Sequence, residues 1–216
     1  MKTRKVPLNY RNVTGNNGSV KSDYSVAEST LEADFLTLLD FSKDVAYFRT
    51  QPVTIEYNKN DLRCTYTPDV KVESINSKIT FYEVKYRKDL FKNWASLKPK
   101  FKAAIRYARE NGAEFKIITE REIRTDYLLN IKFLKMYNVQ ECATSKHKVL
   151  EDMLAKLKVS TPNKLIQTLE EQGWSRVESL YNIWLVVALG ELGKNNVYVD
   201  LYKRLTMDST IWWQNE

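Results

Sequence analysis

From Ser25 the chain takes up a helical rhythm. Leu31, Phe35, Leu38 and Leu39 fall on one face, and the spacing predicts a helix to about Asp40. Ser25 and Glu28 stand three apart and read as the capping box that opens it. The pattern then changes to β-branched and aromatic runs at 45–57, 62–73 and 78–87. Pro52 marks an edge or a bulge in the first run, and Asn76-Ser77 turns the second into the third. A second helix is expected over 98–111, with Pro99 in its first turn, Gly112 as its stop, and Phe101, Ala104, Ile105 and Ala108 as its apolar stripe. A short apolar strand at 115–119 completes an αβββαβ series. One crossover helix returning the chain to the sheet makes this a mixed α/β domain.

After Thr119 the periodicity stays helical. Thr119 and Glu122 form another capping box, for a helix to about Tyr137, and further helices are expected at 145–158, 162–172 and 177–192. Segments 197–199 and 211–213 are short and strand-like, so the second domain reads as α-rich and winged-helix-like. Gly15-Asn-Asn-Gly18 breaks a polar, basic stretch and makes 1–24 a flexible lead-in. The domains expected are therefore 25–138 and 139–216.

Composition narrows the chemistry. Of 216 residues 43% are hydrophobic, enough for a real core. Two cysteines, Cys64 and Cys142, cannot build a disulfide framework or a structural zinc site. The single histidine, His147, excludes paired-histidine metal sites and most Ser–His or Cys–His schemes. It has no acidic or cysteine partner at ligand spacing and reads as a surface residue. Cys64 reads as a small core residue, and Trp212-Trp213 as packing for the terminal hairpin. Catalysis is left to carboxylates, lysines and a hard metal. Neither an apolar leader, nor a run long enough to span a membrane, nor a phosphate-cradling glycine loop is present, so a cytoplasmic protein with no membrane partner is expected.

Charge then gives the chemistry a substrate. The net charge is +7, and the stretch from Lys85 to Arg109 holds nine basic residues against one acid, Asp89. A polyanion suits such a stretch, nucleic acid above all. Arg87, Lys88, Lys98, Lys102, Arg106 and Arg109 are the candidate phosphate contacts; the last four follow i, i+4, i+8 and i+11 spacing. A solvated helix face has the same spacing, and both readings stand.

The informative cluster is Pro68-Asp69 followed by Glu83-Val84-Lys85. Glu83 and Lys85 are two apart on one strand and share a face, and a hairpin can bring Asp69 beside Glu83. Carboxylates gathered there can hold Mg²⁺, with Mn²⁺ as a substitute and the Val84 carbonyl as a further oxygen ligand. Lys85 can orient a water and offset charge on the reacting phosphate. Glu28 and Glu32 lie on the apolar side of the first helix, where a carboxylate is costly unless paired or metal-bound, or else they sit at its rim and snorkel outwards. Gln51, before Pro52, reads either as a site amide or as the cap of a bulge. A bare Pro-Asp…Glu-x-Lys match also describes a solvated hairpin with a salt bridge. With the αβββαβ order, the acids on the first helix and the basic stretch beside it, the set resembles the PD-(D/E)xK restriction-endonuclease-like fold.

Particular segments carry a narrower likeness. LEADFLTLLDF (31–41), VAYFRTQP (45–52), YTPD (66–69), EVKYR (83–87) and IITEREIR (117–124) closely resemble the TnsA endonuclease family, the nuclease subunits of heteromeric cut-and-paste transposases. The likeness covers 25 to about 135; beyond it the chain agrees only in size and helix-rich pattern. It implies that Glu32, Asp69 and Lys85 occupy catalytic positions, that Glu83 sits at the exchangeable Glu/Gln position, and that Glu28 stands behind the metal ligands. Gln51 matches a family position. The resemblance further implies Mg²⁺-dependent cleavage of double-stranded DNA at the 5′ ends of a transposon. It also implies a TnsB-type transposase acting on the 3′ ends, and docking on a TnsC-type AAA+ ATPase through the second domain. Two other readings remain: a stand-alone restriction-like or junction-resolving nuclease, and a non-catalytic DNA-binding adaptor.

Overall fold

Helix α1 runs Thr30–Phe41, so it begins after the capping box expected at Ser25. A second Ser-x-x-Glu pair takes that role. Ser29 Oγ accepts from the Glu32 N–H at 3.2 Å, and the Glu32 carboxylate reaches back to the Glu28 N–H at 2.8 Å and Ser29 Oγ at 3.0 Å. Residues before it are extended instead: the Val26 N–H bonds Thr50 Oγ1 at 3.2 Å, and Ser25 is buried. Glu28 therefore lies outside the helix, and a helical face no longer describes it. Described residues of the chain in this computed structural model are 21–22, 25–137 and 145–214. The expected lead-in, 1–24, lies outside them apart from Lys21 and Ser22; Cys142 lies outside them too.

The two longest strand-like runs are each cut by a proline, which cannot donate to a ladder. The run 45–57 becomes β1 (Val45–Thr50) and β2 (Ile55–Lys59), and 62–73 becomes β3 (Leu62–Tyr66) and β4 (Val70–Ser74). β2 and β3 pair only with each other, from Ile55 opposite Tyr66 to Lys59 opposite Leu62. Asn60 and Asp61 turn this hairpin with φ of 50° and 61°, a conformation these two residue types tolerate. The main sheet is built from β1, β4, β5 (Ile79–Val84) and β6 (Glu114–Ile118), in the order β1-β4-β5-β6. Its first two pairings are antiparallel and β5–β6 is parallel. With the hairpin set aside, the helix, three strands, helix and strand of the sequence pattern are all present.

The crossover helix α2 spans Arg87–Glu110, so Pro99 sits inside it rather than in its first turn. Its opening turns are exposed: Phe91 is 74% and Trp94 48% accessible. Burial periodicity begins only near Phe101, which is why the apolar pattern revealed the second half alone. Tyr86 offers α2 no side-chain cap; the Glu120 carboxylate accepts from the Arg87 N–H at 2.9 Å instead. Within the buried half Ala103 packs inward with Phe101, Ala104 and Ala108, whereas Ile105, expected in that stripe, is 45% exposed. The Thr119–Glu122 capping box forms as expected and opens α3 (Glu120–Ile123). The helix does not continue to Tyr137. Arg124 breaks it and ties back to α1, with Nε on Asp34 at 2.7 Å and Nη2 on Thr30 at 3.0 Å.

Packing divides the chain into two units, 1–124 and 125–216. That division comes earlier than the expected 138/139 and assigns α4 (Asp126–Leu134) to the second unit. There it is followed by α5 (Ser145–Leu157), β7 (Val159–Ser160), α6 (Pro162–Glu171), α7 (Arg176–Glu191), β8 (Val197–Val199) and β9 (Ile211–Trp213). β7, too short for a sequence signal, joins the terminal strands in an antiparallel sheet of order β7-β9-β8. His147 is not the surface residue expected. It stands on the α5 face that carries Leu150 and Leu154, is buried with them, and has its pKa lowered by that burial, with Glu151 opposing. No described helix is long and apolar enough to cross a membrane.

Candidate active site

The first unit gathers its charged groups where β4 begins and β5 ends. Asp69 is the residue before β4. Its N–H bonds the Tyr82 carbonyl at 3.0 Å and its own carbonyl accepts from the Gln51 N–H at 2.9 Å. Held in this way, its Oδ2 accepts the Val84 N–H at 2.7 Å. The Asp69 side chain thus touches the backbone between Glu83 and Lys85, as a Pro-Asp break beside a Glu-x-Lys strand requires.

Glu83 is 1% exposed, and both of its oxygens are engaged. Oε2 accepts from the Tyr66 hydroxyl at 2.6 Å; Oε1 accepts from Lys85 Nζ at 3.0 Å and from Lys100 Nζ at 3.1 Å. Tyr66 and Lys100 are the site residues that sequence reasoning missed. Tyr66 is the first residue of the quoted YTPD segment. Lys100 lies one turn before Ala103 and Ala104 on the inward side of α2, and that spacing was the available signal. Its ammonium also stands 4.7 Å from the Tyr66 ring centroid and 5.2 Å from that of Phe101.

Burial and mutual repulsion set the charge states. Burial raises the Asp69 pKa well above its ordinary value, and Glu83 and Glu32 raise it further; the Val84 N–H and Lys85 pull it back only in part. The Glu32 carboxyl is also raised, chiefly by burial, against the hydrogen bonds from Glu28 and Ser29. Burial opposes the Lys85 charge, but Glu83, Asp69 and Glu32 outweigh it, and its pKa rises. Lys85 is therefore a firm ammonium at neutral pH, while Asp69 and Glu32 hold their protons more tightly than ordinary carboxyls.

Glu28 and Gln51 meet at the rim, with Gln51 Nε2 on Glu28 Oε1 at 2.6 Å. Gln51 has φ of 46°, a left-handed conformation that costs a non-glycine residue about 1 kcal/mol. Its backbone bond to Asp69 and its side-chain bond to Glu28 hold it there. A bulge-capping amide would make neither link. Of the basic candidates, Arg87 is half-buried, while Lys88, Lys98, Lys102, Arg106 and Arg109 are exposed on α2. Cys64 is half-buried on the β2–β3 hairpin, opposite Tyr57 and hydrogen-bonded to it.

Among the described residues no three acidic, cysteine or histidine side chains stand in a ligating arrangement. The oxygens of Glu83 are engaged by Tyr66 and the lysines, and those of Glu32 by the start of α1. In chemistry the donor set still suits a hard divalent cation, because carboxylates that repel one another are relieved by positive charge between them.

No curated protein matches the chain. Residues 42–120 match the family model of the TnsA-like endonuclease N-terminal domain. The match runs from the end of α1 to the first residue of α3, so it holds Gln51, Tyr66, Asp69, Glu83, Lys85 and Lys100, while Glu28 and Glu32 precede it. Over residues 42–120 the chain is similar to the TnsA-like endonuclease N-terminal domain.

Proposed function

We propose that the chain is the DNA endonuclease subunit of a transposase, a PD-(D/E)xK nuclease that hydrolyses phosphodiester bonds at the 5′ ends of a transposon during cut-and-paste transposition. The observation that carries this reading is the Asp69 carboxylate bonded to the backbone between Glu83 and Lys85, in the domain that matches the TnsA-like endonucleases. Glu32, Asp69, Glu83 and the Val84 carbonyl are the groups that would hold Mg²⁺, or Mn²⁺ in its place, Glu83 through the lone pair of Oε2 that Tyr66 leaves unused while Oε1 keeps both lysines; bound there, the ion would supply Lewis acidity and a more acidic water. Lys85 stays protonated and presents its ammonium to a phosphate oxygen on which charge develops. Glu28, through Gln51, holds the backbone bond that fixes Asp69.

Arg87, Lys88 and the exposed row of Lys98, Lys102, Arg106 and Arg109 carry the DNA backbone past the acids in this reading. Replacing any one of the row by alanine should weaken duplex binding alike for all sequences and reduce the slope of log K against log salt by about one. A titration at several salt concentrations checks this, and an unchanged slope removes that residue from the interface.

In the second unit, the series that follows α4, namely α5, β7, α6, α7, β8 and β9 with the sheet order β7-β9-β8, supports the winged-helix reading. Its charges balance, with 11 basic and 11 acidic residues over 125–216. That balance favours protein partners, and the proposed ones are the TnsC-type AAA+ ATPase and the TnsB-type transposase, in the cytoplasm. The decisive experiment is cleavage of transposon-end DNA by the full chain with transposase and ATPase present, for wild type and Asp69→Ala. Loss of 5′-end cutting alone is expected; equal cutting by both sinks the assignment, and cutting by the chain without partners favours a stand-alone nuclease.

A further inference from the structure

The nuclease reading assigns one lysine, Lys85, to the reacting phosphate. The structure holds a second ammonium in the same place. Lys85 reaches Glu83 from the end of β5, and Lys100 reaches it from α2, in different parts of the fold, yet both stop on the same carboxylate oxygen at 3.0 and 3.1 Å. The two nitrogens can therefore be no farther apart than those two lengths laid end to end. That is close enough for both to meet a single phosphodiester group.

We propose that Lys100 is a second phosphate-contacting lysine of the site and that Glu83 serves as the clamp which holds the two ammonium groups side by side. Three features favour this over a lysine that only neutralises a buried acid. Lys85 already forms an ion pair with the same Glu83 oxygen. The other Glu83 oxygen is taken by the Tyr66 hydroxyl at 2.6 Å, which stops the carboxylate from turning, so the position of Oε1 sets where both ammonium groups stand. Lys100 is also steadied independently of Glu83 by the faces of Tyr66 and Phe101, and it keeps 21% of its side chain open to solvent. An ammonium has three donors, and Glu83 accepts one. A partly open, pre-positioned cation is what a phosphate gaining negative charge can use without reorganisation.

This proposal rests on the nuclease reading, and its test uses two readouts so that either can fail alone. The first does not depend on cleavage. Lysine acylation of the full chain, read residue by residue by mass spectrometry, is compared with and without duplex DNA of the transposon end in a Ca²⁺ buffer. Lys100 labelling should fall at least fivefold on binding, while Lys78, paired with Glu114 across the sheet, should not change. Unchanged labelling of Lys100 overturns the proposal. The second is single-turnover cleavage with the partner proteins present. Lys100→Met should cut at least tenfold more slowly at saturating DNA, and Lys100→Arg should recover part of the rate. Adding Glu83→Gln to Lys100→Met should not restore it. Recovery in that double variant shows that Lys100 merely neutralises Glu83, and wild-type cutting by Lys100→Met shows that it is dispensable; either result overturns the proposal. If Lys100 is protected but the wild-type chain itself cuts nothing, the lysine contact stands and the nuclease reading fails.

Discussion

Asp69→Asn is expected to raise the melting temperature of the metal-free protein at neutral pH while lowering strand cleavage by about 10²–10³-fold. The two effects share one cause. Burial, Glu83 and Glu32 raise the Asp69 pKa, so the folded chain holds this proton more tightly than the unfolded chain does. Whatever Asp69 contributes to stability is then fully present below the ordinary carboxylate pKa and is lost as pH rises from there through the raised value. Asparagine removes the charge but keeps an oxygen for the Val84 N–H, which Asp69 Oδ2 accepts at 2.7 Å. The variant should therefore melt close to wild type near pH 4 and increasingly above it toward pH 7. Glu32, raised chiefly by burial, adds a slope of the same sign in the parent. Calorimetry across that range in chelating buffer, beside the cleavage assay, checks both halves. A variant less stable than wild type at pH 7 would mean that the acids do not repel one another, and full activity would mean that the charge is not used. A site whose function is kept at the expense of its stability is a recurrent arrangement in enzymes.

Gly190→Ala should cost the second unit about 3 kcal/mol, at the upper end for an overpacked core. A Cβ at this position would lie 1.7 Å from the Val197 carbonyl oxygen and 2.7 Å from Asn195 Oδ1. Neither neighbour is a flexible tip. Val197 begins β8, and Asn195 bonds the Val186 carbonyl at 2.9 Å, Glu151 at 3.1 Å and the Val197 N–H at 3.0 Å. A methyl group there must push β8 off α7 or break the Asn195 links, and those links join α5, α7 and the sheet. Denaturant unfolding followed by far-UV dichroism measures the loss; wild-type stability in the variant would rule out this close approach of α7 to β8.

Some of the fold was legible because its causes are local. Leu31, Phe35 and Leu39 announced α1, the alternation around Glu83-Val84-Lys85 announced β5, and Thr119 with Glu122 announced the turn that opens α3. Helix starts were less legible where two capping pairs competed. Ser25–Glu28 and Ser29–Glu32 are equal as motifs, and the choice was made by burial of Ser25 beside β1. The first half of α2 left no trace because its surface faces water, and periodicity records only faces that are buried.

Sequence alone determined the helix, three strands, helix and strand of the first unit, the basic stretch on its crossover helix, and the Asp69, Glu83 and Lys85 set. The helices, the strands, the basic stretch and the Glu83–Lys85 pair depend on residues a few positions apart, within reach of helical or strand periodicity, and Asp69 joins them across one hairpin of consecutive strands, β4 and β5. Only the tertiary structure decided that Tyr66 and Lys100 meet Glu83, that Glu28 answers to Gln51, and that Pro52 and Pro68 set a hairpin apart from the main sheet. Tyr66 and Lys100 each lie 17 residues from Glu83, on opposite sides of it in the chain. Contacts of that range are set by strand register and by which side of α2 turns toward the sheet, and these are settled when the whole unit packs.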